Sequence, residues 1–337
     1  MQTNTPAPPH KPKLLVLELW GLGDLAMASP FLQAASKKFE VTILAKEYAH
    51  DLQKRFWPDA KVITWNSPWT AFRDKYKVWQ WPWKTLWKMM QGLRGENFDF
   101  AVSARWDPRD HVFMWLTGAR QRFGFPRLRS GLFLTQAKNA KPPRHRYEHW
   151  KEMGALLGLV LPEQRELSLR QIPGDRKIVI HTGASLALRV WPLDRFKKLA
   201  THLREKNLEV SIACDSSQRE WWLNNGEPNV VTARNVSELI HLLDSAKVFI
   251  GNDSGPGHLA AICGTPTFTI FGPALPEMIA PIHPESQWIE GKACEFKPCK
   301  DSCRFSVPHC LHDVSEQEVA VQVDVFLQQL DRTRTLR

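Results

Sequence analysis

The sequence lacks any long apolar run, and none of its segments approaches the roughly 20 consecutive apolar residues that a membrane-spanning helix needs. The opening residues, MQTNTPAPPHKPK, contain no apolar segment before Leu14. They are typical of a short Pro-rich tail and not of a signal peptide. From these two absences we predict a chain that stays in the cytoplasm.

The sequence also lacks the C-x2-C pairs of zinc ribbons. Four of its six cysteines, Cys294, Cys299, Cys303 and Cys310, cluster with the spacing C-x4-C-x3-C-x6-C. In a reducing compartment such residues are thiols or metal ligands more often than disulfides. We expect unliganded thiols, with a metal site at these four residues as the alternative.

The chain has no excess of acidic residues: its net charge is +10 and its pI is about 9.4. A basic surface suits an anionic partner, such as nucleic acid, acidic lipid headgroups or phosphorylated sugars. Several of the 15 tryptophans lie among basic residues in the segment 73–94, at Trp79, Trp81, Trp83 and Trp87. This segment could lie in a membrane interface or pack its aromatic residues into a core.

Strand and helix patterns alternate in two successive runs. The first begins with the apolar run at residues 13–19, and the second begins at residues 177–181, after a candidate linker at 162–174. This alternation predicts two doubly wound parallel α/β domains. We predict a tail at 1–12, a first domain at 13–165, a second domain at 166–314, and a closing helix and tail at 315–337. Ser315 and Glu318 have the spacing of a capping box for that helix.

The stretch IGNDSGPGHLAAICGTPTFTIFGP, residues 250–273, carries the strongest local signal. A strand is followed by a Gly-rich loop, a short helix with Pro256 in its first turn, and a second strand. A helix start presents free backbone N–H groups to an anion. We interpret the stretch as a diphosphate cradle, built from Asp253, Ser254, Gly255 and His258. The alternative is an ordinary βαβ turn in which Asp253 only caps the helix.

This stretch resembles the signature of the ADP-heptose:lipopolysaccharide heptosyltransferases, glycosyltransferase family 9. The resemblance implies a GT-B fold, in which two Rossmann-like domains face a central cleft. It also implies an inverting, metal-independent enzyme that moves heptose from ADP-L-glycero-D-manno-heptose to the inner core of lipopolysaccharide. The implied partners are a nucleotide sugar, a lipid-linked core oligosaccharide and an anionic membrane surface, but no nucleic acid. The implied location is the inner face of the inner membrane, as a peripheral protein.

The resemblance also assigns residues in the first βα loop, WGLGDLA. Family members carry Gly-Asp here, so Gly23 would lie at the acceptor and Asp24 would be the base that accepts the proton of the acceptor hydroxyl. From the residues alone, Asp24 could simply cap a helix. The Gly-x-Gly of the loop also partly matches a dinucleotide fingerprint.

A second group of residues follows the strand that opens the second domain. The order of Gly, a basic residue, Trp and Pro resembles the family element whose cation binds the donor phosphates, which assigns Thr182, Gly183 and Arg189 to the donor. We expect Arg189 to assist catalysis as well. Gln218 lies where the family has a ribose-binding Glu, and an amide can also bond a ribose hydroxyl.

A third group, Arg105, Asp107 and Arg109, follows a strand of the first domain and could bind an acidic acceptor sugar. A solvated loop with local ion pairs explains it equally well. The sequence has no Asp-x-Asp triplet, which metal-dependent sugar-nucleotide transferases commonly use. We therefore expect no cofactor, and we expect Arg189, a cationic His258 and the helix start to stabilise the leaving diphosphate.

Three other functions fit parts of the sequence. An epimerase of the same fold would consume its sugar nucleotide without an acceptor. A nicotinamide-dependent oxidoreductase could be built on Gly21-Leu22-Gly23. A non-enzymatic nucleic-acid binder would explain the charge alone and would leave the stretch at 250–273 without a purpose.

Overall fold

The structure is a computed structural model that describes residues 10–71, 77–139, 144–167, 177–299 and 302–335. Most of the predicted tail, the end of the predicted linker and residues 73–76 of the aromatic segment lie outside these ranges. By its internal contacts the chain divides into two compact units. Unit 1 comprises residues 1–20, 28–142 and 149–161, and unit 2 comprises residues 21–27, 143–148 and 162–337, in each case as far as they are described.

Unit 1 is built on a six-stranded sheet in which every pairing is parallel. The strands are β1 (Lys13–Glu18), β2 (Glu40–Ala45), β3 (Lys61–Thr64), β4 (Phe100–Val102), β5 (Gln121–Gly124) and β6 (Gln136–Ala137), in the order β3-β2-β1-β4-β5-β6. This is the strand order of the Rossmann fold. β1 is buried from Leu14 onward because both faces of the sheet are covered, which explains its nearly continuous apolar sequence.

The described residues of the first half of the chain form five helices of two turns or more: α1 (Leu22–Lys38), α2 (Ala49–Phe56), α3 (Trp83–Gly95), α4 (Pro108–Leu116) and α5 (Arg146–Leu156). By its contacts, the first part of α1, residues 22–27, belongs to unit 2, and so does the first turn of α5, residues 146–148. α1 begins at Leu22. Asp24 is therefore inside the first turn, where its carboxylate accepts the N–H of Gly21 at 3.2 Å, and it is not the N-cap residue.

Unit 2 contains a five-stranded, all-parallel sheet. Its strands are β7 (Ile178–His181), β8 (Val210–Ala213), β9 (Val248–Asn252), β10 (Thr267–Phe271) and β11 (Gln287–Glu290), in the order β11-β10-β9-β7-β8. Read from β8, this is the flavodoxin-like order 2-1-3-4-5. Val231 forms an isolated parallel bridge with Ala213 of β8.

The helices of unit 2 are α6 (Leu193–Glu205), α7 (Arg219–Asn224), α8 (Val236–Asp244), α9 (Gly255–Ile262), α10 (Pro276–Ile279), α11 (His309–His312) and α12 (Glu316–Thr335). α6 buries Phe196, Leu199, Ala200 and Leu203, the spacing of one helical face. The predicted capping box of α12 is confirmed, because Glu318 N–H donates to Ser315 Oγ and the Glu318 carboxylate accepts the Ser315 N–H. No helix in the described part of the chain is long and apolar enough to cross a membrane.

Candidate functional site

In unit 2 the strand order reverses between β7 and β9, and open α/β sheets bind their ligands where the carboxyl ends of such strands diverge. The sequence after β7 contains Thr182 and Gly183, and the sequence after β9 contains Asp253 and Ser254. Asn252, to which the sequence analysis assigned no role, connects these two segments. Its fully buried amide donates to Thr182 O at 2.9 Å and accepts the N–H of Trp191 at 2.9 Å.

Arg189 and Asp253 form an ion pair at the start of α9. Arg189 Nη1 lies 3.2 Å from Asp253 Oδ2, and the Asp253 side chain is 2% exposed. Burial raises the pKa of Asp253 to about 6; Arg189 opposes this increase and the charge of Asp24 adds to it. The carboxylate is therefore mostly ionised at pH 7, but it takes up a proton more readily than an ordinary aspartate does.

His258 lies in α9 and is buried. Burial lowers its pKa to about 4, with Asp24 opposing the decrease and His145 and Arg189 adding to it. The expectation of a cationic His258 is therefore wrong for the structure, because the desolvated imidazole is neutral. It can still donate a hydrogen bond from one ring nitrogen.

Buried polar atoms without a hydrogen-bond partner gather around the start of α9. Within the described residues, Ser254 Oγ, His258 Nδ1 and Arg189 Nε make no hydrogen bond. Buried polar groups are nearly always satisfied, so a cluster of such atoms is a candidate ligand site. An anion can accept hydrogen bonds from all of these groups: a hydroxyl, a guanidinium N–H and the backbone N–H groups in the first turn of a helix.

Gly23 and Asp24 lie beside this cluster. A Cβ built on Gly23 would come 2.5 Å from Cδ2 of His258, so the imidazole packs directly on the glycine. Likewise, a Cβ on Gly255 would meet Leu22 at 3.0 Å. These contacts fix the first turn of α1 against α9, and they bring the carboxylate of Asp24 near Asp253 and His258.

Arg146 is a neighbour of Asp24 that the sequence motifs did not reveal. Its Nε lies 4.0 Å from Asp24 Oδ1, and both side chains are mostly buried, at 18% and 23% exposed. The preceding residue, His145, donates from Nε2 to the carbonyl of Ala280 at 2.8 Å. The run RHRYEHW that contains both residues matches no recognisable motif, so only the structure reveals the pair.

The structure places Thr182, Gly183 and Gln218 in one network. Thr182 Oγ donates to Gln218 Oε1 at 2.9 Å, and Gln218 Nε2 donates to Thr182 O at 3.1 Å. The Thr182 hydroxyl also accepts the indole N–H of Trp222 at 3.2 Å. Gly183 leaves no room for a Cβ, because the carboxylate of Asp215 lies against its backbone. Gln218 would have to exchange its Thr182 bonds to reach a ribose.

In unit 1, Arg105, Asp107 and Arg109 lie after β4, where the strand order of the first sheet reverses. Asp107 caps α4 and binds Arg109 through both of its oxygens, at 2.8 and 2.6 Å. Arg105 stacks over Trp20 at 4.8 Å and lies 3.9 Å from Glu18. The local ion pairs expected by the alternative interpretation are present, but Asp107 is only 8% exposed, so the loop is not fully solvated.

The aromatic segment exposes three tryptophans. Trp79, Trp83 and Trp87 are 75%, 50% and 65% exposed, whereas Met90 and Leu93 on α3 are buried. The core interpretation is therefore wrong for these three side chains. On α3, the spacing of four residues between Trp83 and Trp87 places both on one face of the helix. Trp81 packs at the edge of the core. We call Val78, Trp79, Trp83 and Trp87 the tryptophan face.

The cysteine cluster consists of free thiols. Cys310 is buried, and Cys294, Cys299 and Cys303 are half-buried. Burial raises the pKa of the Cys310 thiol, and the other three cysteines add to the increase. No group of three or more His, Cys, Asp or Glu residues in the described ranges has an arrangement that could hold a metal ion.

A family model for glycosyltransferase family 9 (heptosyltransferase) matches residues 86–307, which is more than half of the chain. Lipooligosaccharide heptosyltransferase 2 of Campylobacter jejuni is 22% identical over 331 residues, covering 91% of this chain and 96% of that protein. The solved structure of Escherichia coli ADP-heptose lps heptosyltransferase II matches with a TM-score of 0.70 and 17% identity, covering 95% and 99%.

The iron-containing dodecameric glycosyltransferase TibC from enterotoxigenic E. coli H10407 is a more distant match, with a TM-score of 0.54 and 16% identity over 96% of this chain and 77% of TibC. The structural matches show the GT-B fold, with two parallel-sheet α/β units as predicted. The family match decides against the epimerase and oxidoreductase interpretations. The chain therefore belongs to glycosyltransferase family 9, the heptosyltransferase family.

Proposed function

We propose that this chain transfers heptose from ADP-L-glycero-D-manno-heptose to a sugar of the inner core of lipopolysaccharide, with inversion and without a divalent metal. The observation that supports this most directly is the cluster of buried, unpaired donors around the start of α9, with Asp24 beside it. Such a cluster suits the diphosphate of a nucleotide sugar. The matched C. jejuni and E. coli proteins are heptosyltransferases by name.

In this proposal unit 2 binds the donor. Arg189, Ser254, Gly255 and His258 take the diphosphate, with a neutral His258 donating a hydrogen bond and Arg189 supplying the charge. Thr182, Gly183 and Gln218 border the nucleoside.

Asp253 keeps Arg189 oriented for the diphosphate. The pKa of this carboxyl is already raised by burial, and an arriving anion raises it further. Asp253 can therefore take up a proton when the donor binds, which removes the negative charge that would oppose the diphosphate.

Asp24 is the proposed base. The N–H of Gly21 holds Oδ2 and Arg146 lies 4.0 Å from Oδ1, so the carboxylate has a fixed orientation. It accepts the acceptor proton late, while the sugar carbon is already under attack from the face opposite the diphosphate. A single displacement of this kind inverts the configuration at that carbon.

The first predicted domain, residues 13–165, binds the acceptor through Gly23, Arg105, Asp107 and Arg109, and the second, residues 166–314, binds the donor. The side chain of Arg109 is 32% exposed, whereas that of Arg105 is 12% exposed. Arg109 is therefore the more accessible cation for a carboxylate or phosphate of the core oligosaccharide.

We propose that no metal takes part in the reaction. The sequence has no Asp-x-Asp triplet, and Arg189 with the start of α9 can stabilise the leaving diphosphate electrostatically. We further propose that Cys294, Cys299, Cys303 and Cys310 are unliganded thiols. The matched TibC is an iron-containing protein, which keeps a metal at the four cysteines as the competing proposal.

We also propose that the enzyme is peripheral on the inner face of the inner membrane. The tryptophan face presents three exposed indoles, and Lys77, Lys84 and Lys88 are exposed in the same segment. Indoles settle at the level of the lipid headgroups, and lysines attract anionic lipids. A lipid-linked acceptor is reached from such a position.

The experiment is to incubate the purified chain with ADP-heptose and a defined truncated lipopolysaccharide, with and without EDTA. We expect acceptor-dependent release of ADP, a heptosylated product of inverted anomeric configuration, and no loss of rate with EDTA. Consumption of ADP-heptose without an acceptor would contradict the transfer reaction, and a rate that EDTA abolishes would contradict its metal independence.

A further inference from the structure

The backbone of Arg105 is held from both sides by buried side chains of unit 1. Its N–H donates to Ser103 Oγ at 3.3 Å, and its carbonyl lies 3.3 Å from His111 Nε2. Behind Ser103 lies Asp110, whose Oδ2 is 3.0 Å from Ser103 Oγ. We call Ser103, Asp110 and His111 the Arg105 clamp. All three are fully buried.

The hydrogen-bond directions in the clamp follow from the partners. A carbonyl can only accept, so His111 must carry its proton on Nε2 and accept at Nδ1. Ser130 Oγ, 2.8 Å from Nδ1, therefore donates to the imidazole, and it accepts the N–H of Arg127 at 3.0 Å. Burial lowers the pKa of His111, which keeps it in this neutral form.

Asp110 connects the clamp to the core of unit 1 through two hydrogen bonds. Its Oδ1 accepts the indole N–H of Trp69 at 3.0 Å, and its Oδ2 accepts the hydroxyl proton of Ser103. Ser103 in turn accepts the backbone N–H of Arg105. When the buried carboxyl is ionised, each of its oxygens thus has a donor, and the chain of bonds runs from the core residue Trp69 to the loop that carries Arg105.

The clamp lies under the residues to which we assign the acceptor. Asp107 and Arg109 belong to the same turn, since Asp107 caps the helix α4 that carries Asp110 and His111. The loop leaves β4 at the position where the first sheet reverses its strand order. A buried network of this kind costs free energy if any member is left unpaired, so it favours the loop shape in which all its bonds are made.

We propose that Ser103, Asp110 and His111 are positioning residues that set the shape of loop 103–109 for the acceptor sugar. This inference rests on the proposed function, because it takes the loop to be the acceptor site. The three residues touch no substrate themselves. They act through the backbone of Arg105, and small errors in the placement of a binding group are costly to the rate.

The test compares Ser103→Ala, Asp110→Asn and the pair His111→Ala and His111→Gln with the wild type. The amide introduced by Asp110→Asn would turn an N–H toward the Ser103 hydroxyl and so reverse one bond. A glutamine at position 111 can donate to Arg105 O and accept from Ser130, so it should restore what alanine removes.

We expect the acceptor KM to rise roughly tenfold or more in Ser103→Ala, Asp110→Asn and His111→Ala. The KM for ADP-heptose and the kcat at saturating acceptor should stay within about twofold of the wild type. His111→Gln should return the acceptor KM most of the way to the wild-type value.

The matched control is Thr117→Ala. Thr117 is equally buried at the other end of α4, where its hydroxyl donates to Met114 O at 2.7 Å without touching loop 103–109. A purely structural role predicts the same kinetics for Ser103→Ala and Thr117→Ala at equal loss of Tm, and that result would overturn the inference. An unchanged acceptor KM in Ser103→Ala would also overturn it, even if Asp110→Asn does not fold.

Failure of the proposed function would look different, because the wild type itself would consume no ADP-heptose with any core acceptor. In that case calorimetric titration of truncated lipopolysaccharide into the wild type and Ser103→Ala still tests whether the clamp shapes the acceptor site. Weaker binding to the variant supports the clamp, and equal binding or no binding to either overturns it.

Discussion

The imidazole of His258 packs on the backbone of Gly23, so that a Cβ on Gly23 would lie 2.5 Å from His258 Cδ2. Through this contact the first turn of α1, with Asp24, meets the first turn of α9, with Ser254 and Gly255. The contact places a carboxylate beside a group of anion-binding donors. The proposed base and the proposed diphosphate site are therefore coupled by packing.

This packing predicts the behaviour of Gly23→Ala. The added methyl group must displace the His258 ring, and overpacking of this kind costs about 1–3 kcal/mol. We expect a lower Tm and weaker ADP binding. Adding His258→Ala should restore most of the Tm, because the smaller side chain makes room for the methyl group. Differential scanning calorimetry of the two single variants and the double variant checks this, and additive losses would show that the contact is not the cause.

Arg189→Ala should weaken ADP binding about tenfold to a hundredfold, since a hydrogen bond to a charged group contributes about 1.5–3 kcal/mol. Isothermal titration with ADP measures the effect. Arg204→Ala is the matched control, because Arg204 pairs with Glu227 on the surface of unit 2. If Arg189→Ala binds ADP as tightly as the control does, the diphosphate lies elsewhere.

Asp110 should make the stability of the protein depend on pH. Burial raises its pKa to about 7, against 3.8 for an ordinary aspartate, with Asp107 adding to the increase and the bonds from Trp69 and Ser103 opposing it. Between these values the folded state holds a proton that the unfolded state has released. The contribution of this group therefore falls as pH rises from about 4 to about 7, by up to about 1.4 kcal/mol per pH unit.

The variant Asp110→Asn removes the titrating group. Denaturant unfolding of the wild type and the variant at several pH values should show the difference in unfolding free energy shifting in favour of the variant as pH rises. Parallel curves would contradict a raised pKa at Asp110.

The tryptophan face should bind anionic vesicles in a salt-sensitive manner. Replacing Trp79, Trp83 and Trp87 together with Gln should lower vesicle binding at least about tenfold and leave Tm almost unchanged, because these side chains are half or more exposed. Trp115→Gln is the control, since Trp115 is 49% exposed outside this face. Co-sedimentation with phosphatidylglycerol vesicles measures the vesicle binding of each variant. Unchanged binding, or unfolding of the triple variant, would contradict a membrane role for the face.

The sequence predicted both parallel sheets and the strand, Gly-rich loop and helix at α9, because buried parallel strands and Gly-rich helix starts leave clear local patterns. It did not predict the charge of His258, since the pKa of an imidazole depends on burial by residues distant in sequence. Arg146 and Asn252 were missed for the same reason: each acts through partners that only the fold brings near. The exposure of the tryptophan face was left open because the Trp, Leu and Met residues of the segment could all pack inward, and only the fold shows which of them are buried.

Heptosyl transfer by this chain, as proposed, depends most on Asp24 as the base. Asp24→Asn keeps the size of the side chain, and its amide oxygen can still accept the N–H of Gly21. It cannot accept the proton of the acceptor hydroxyl. The decisive measurement is kcat for heptosyl transfer from ADP-heptose to truncated lipopolysaccharide, together with ADP affinity and Tm.

We predict that kcat falls by roughly 10² to 10⁴, the usual effect of losing a general base, while ADP affinity and Tm change little. Near-normal turnover by Asp24→Asn, or a joint loss of Tm and ADP binding, would contradict the role of Asp24 as the base.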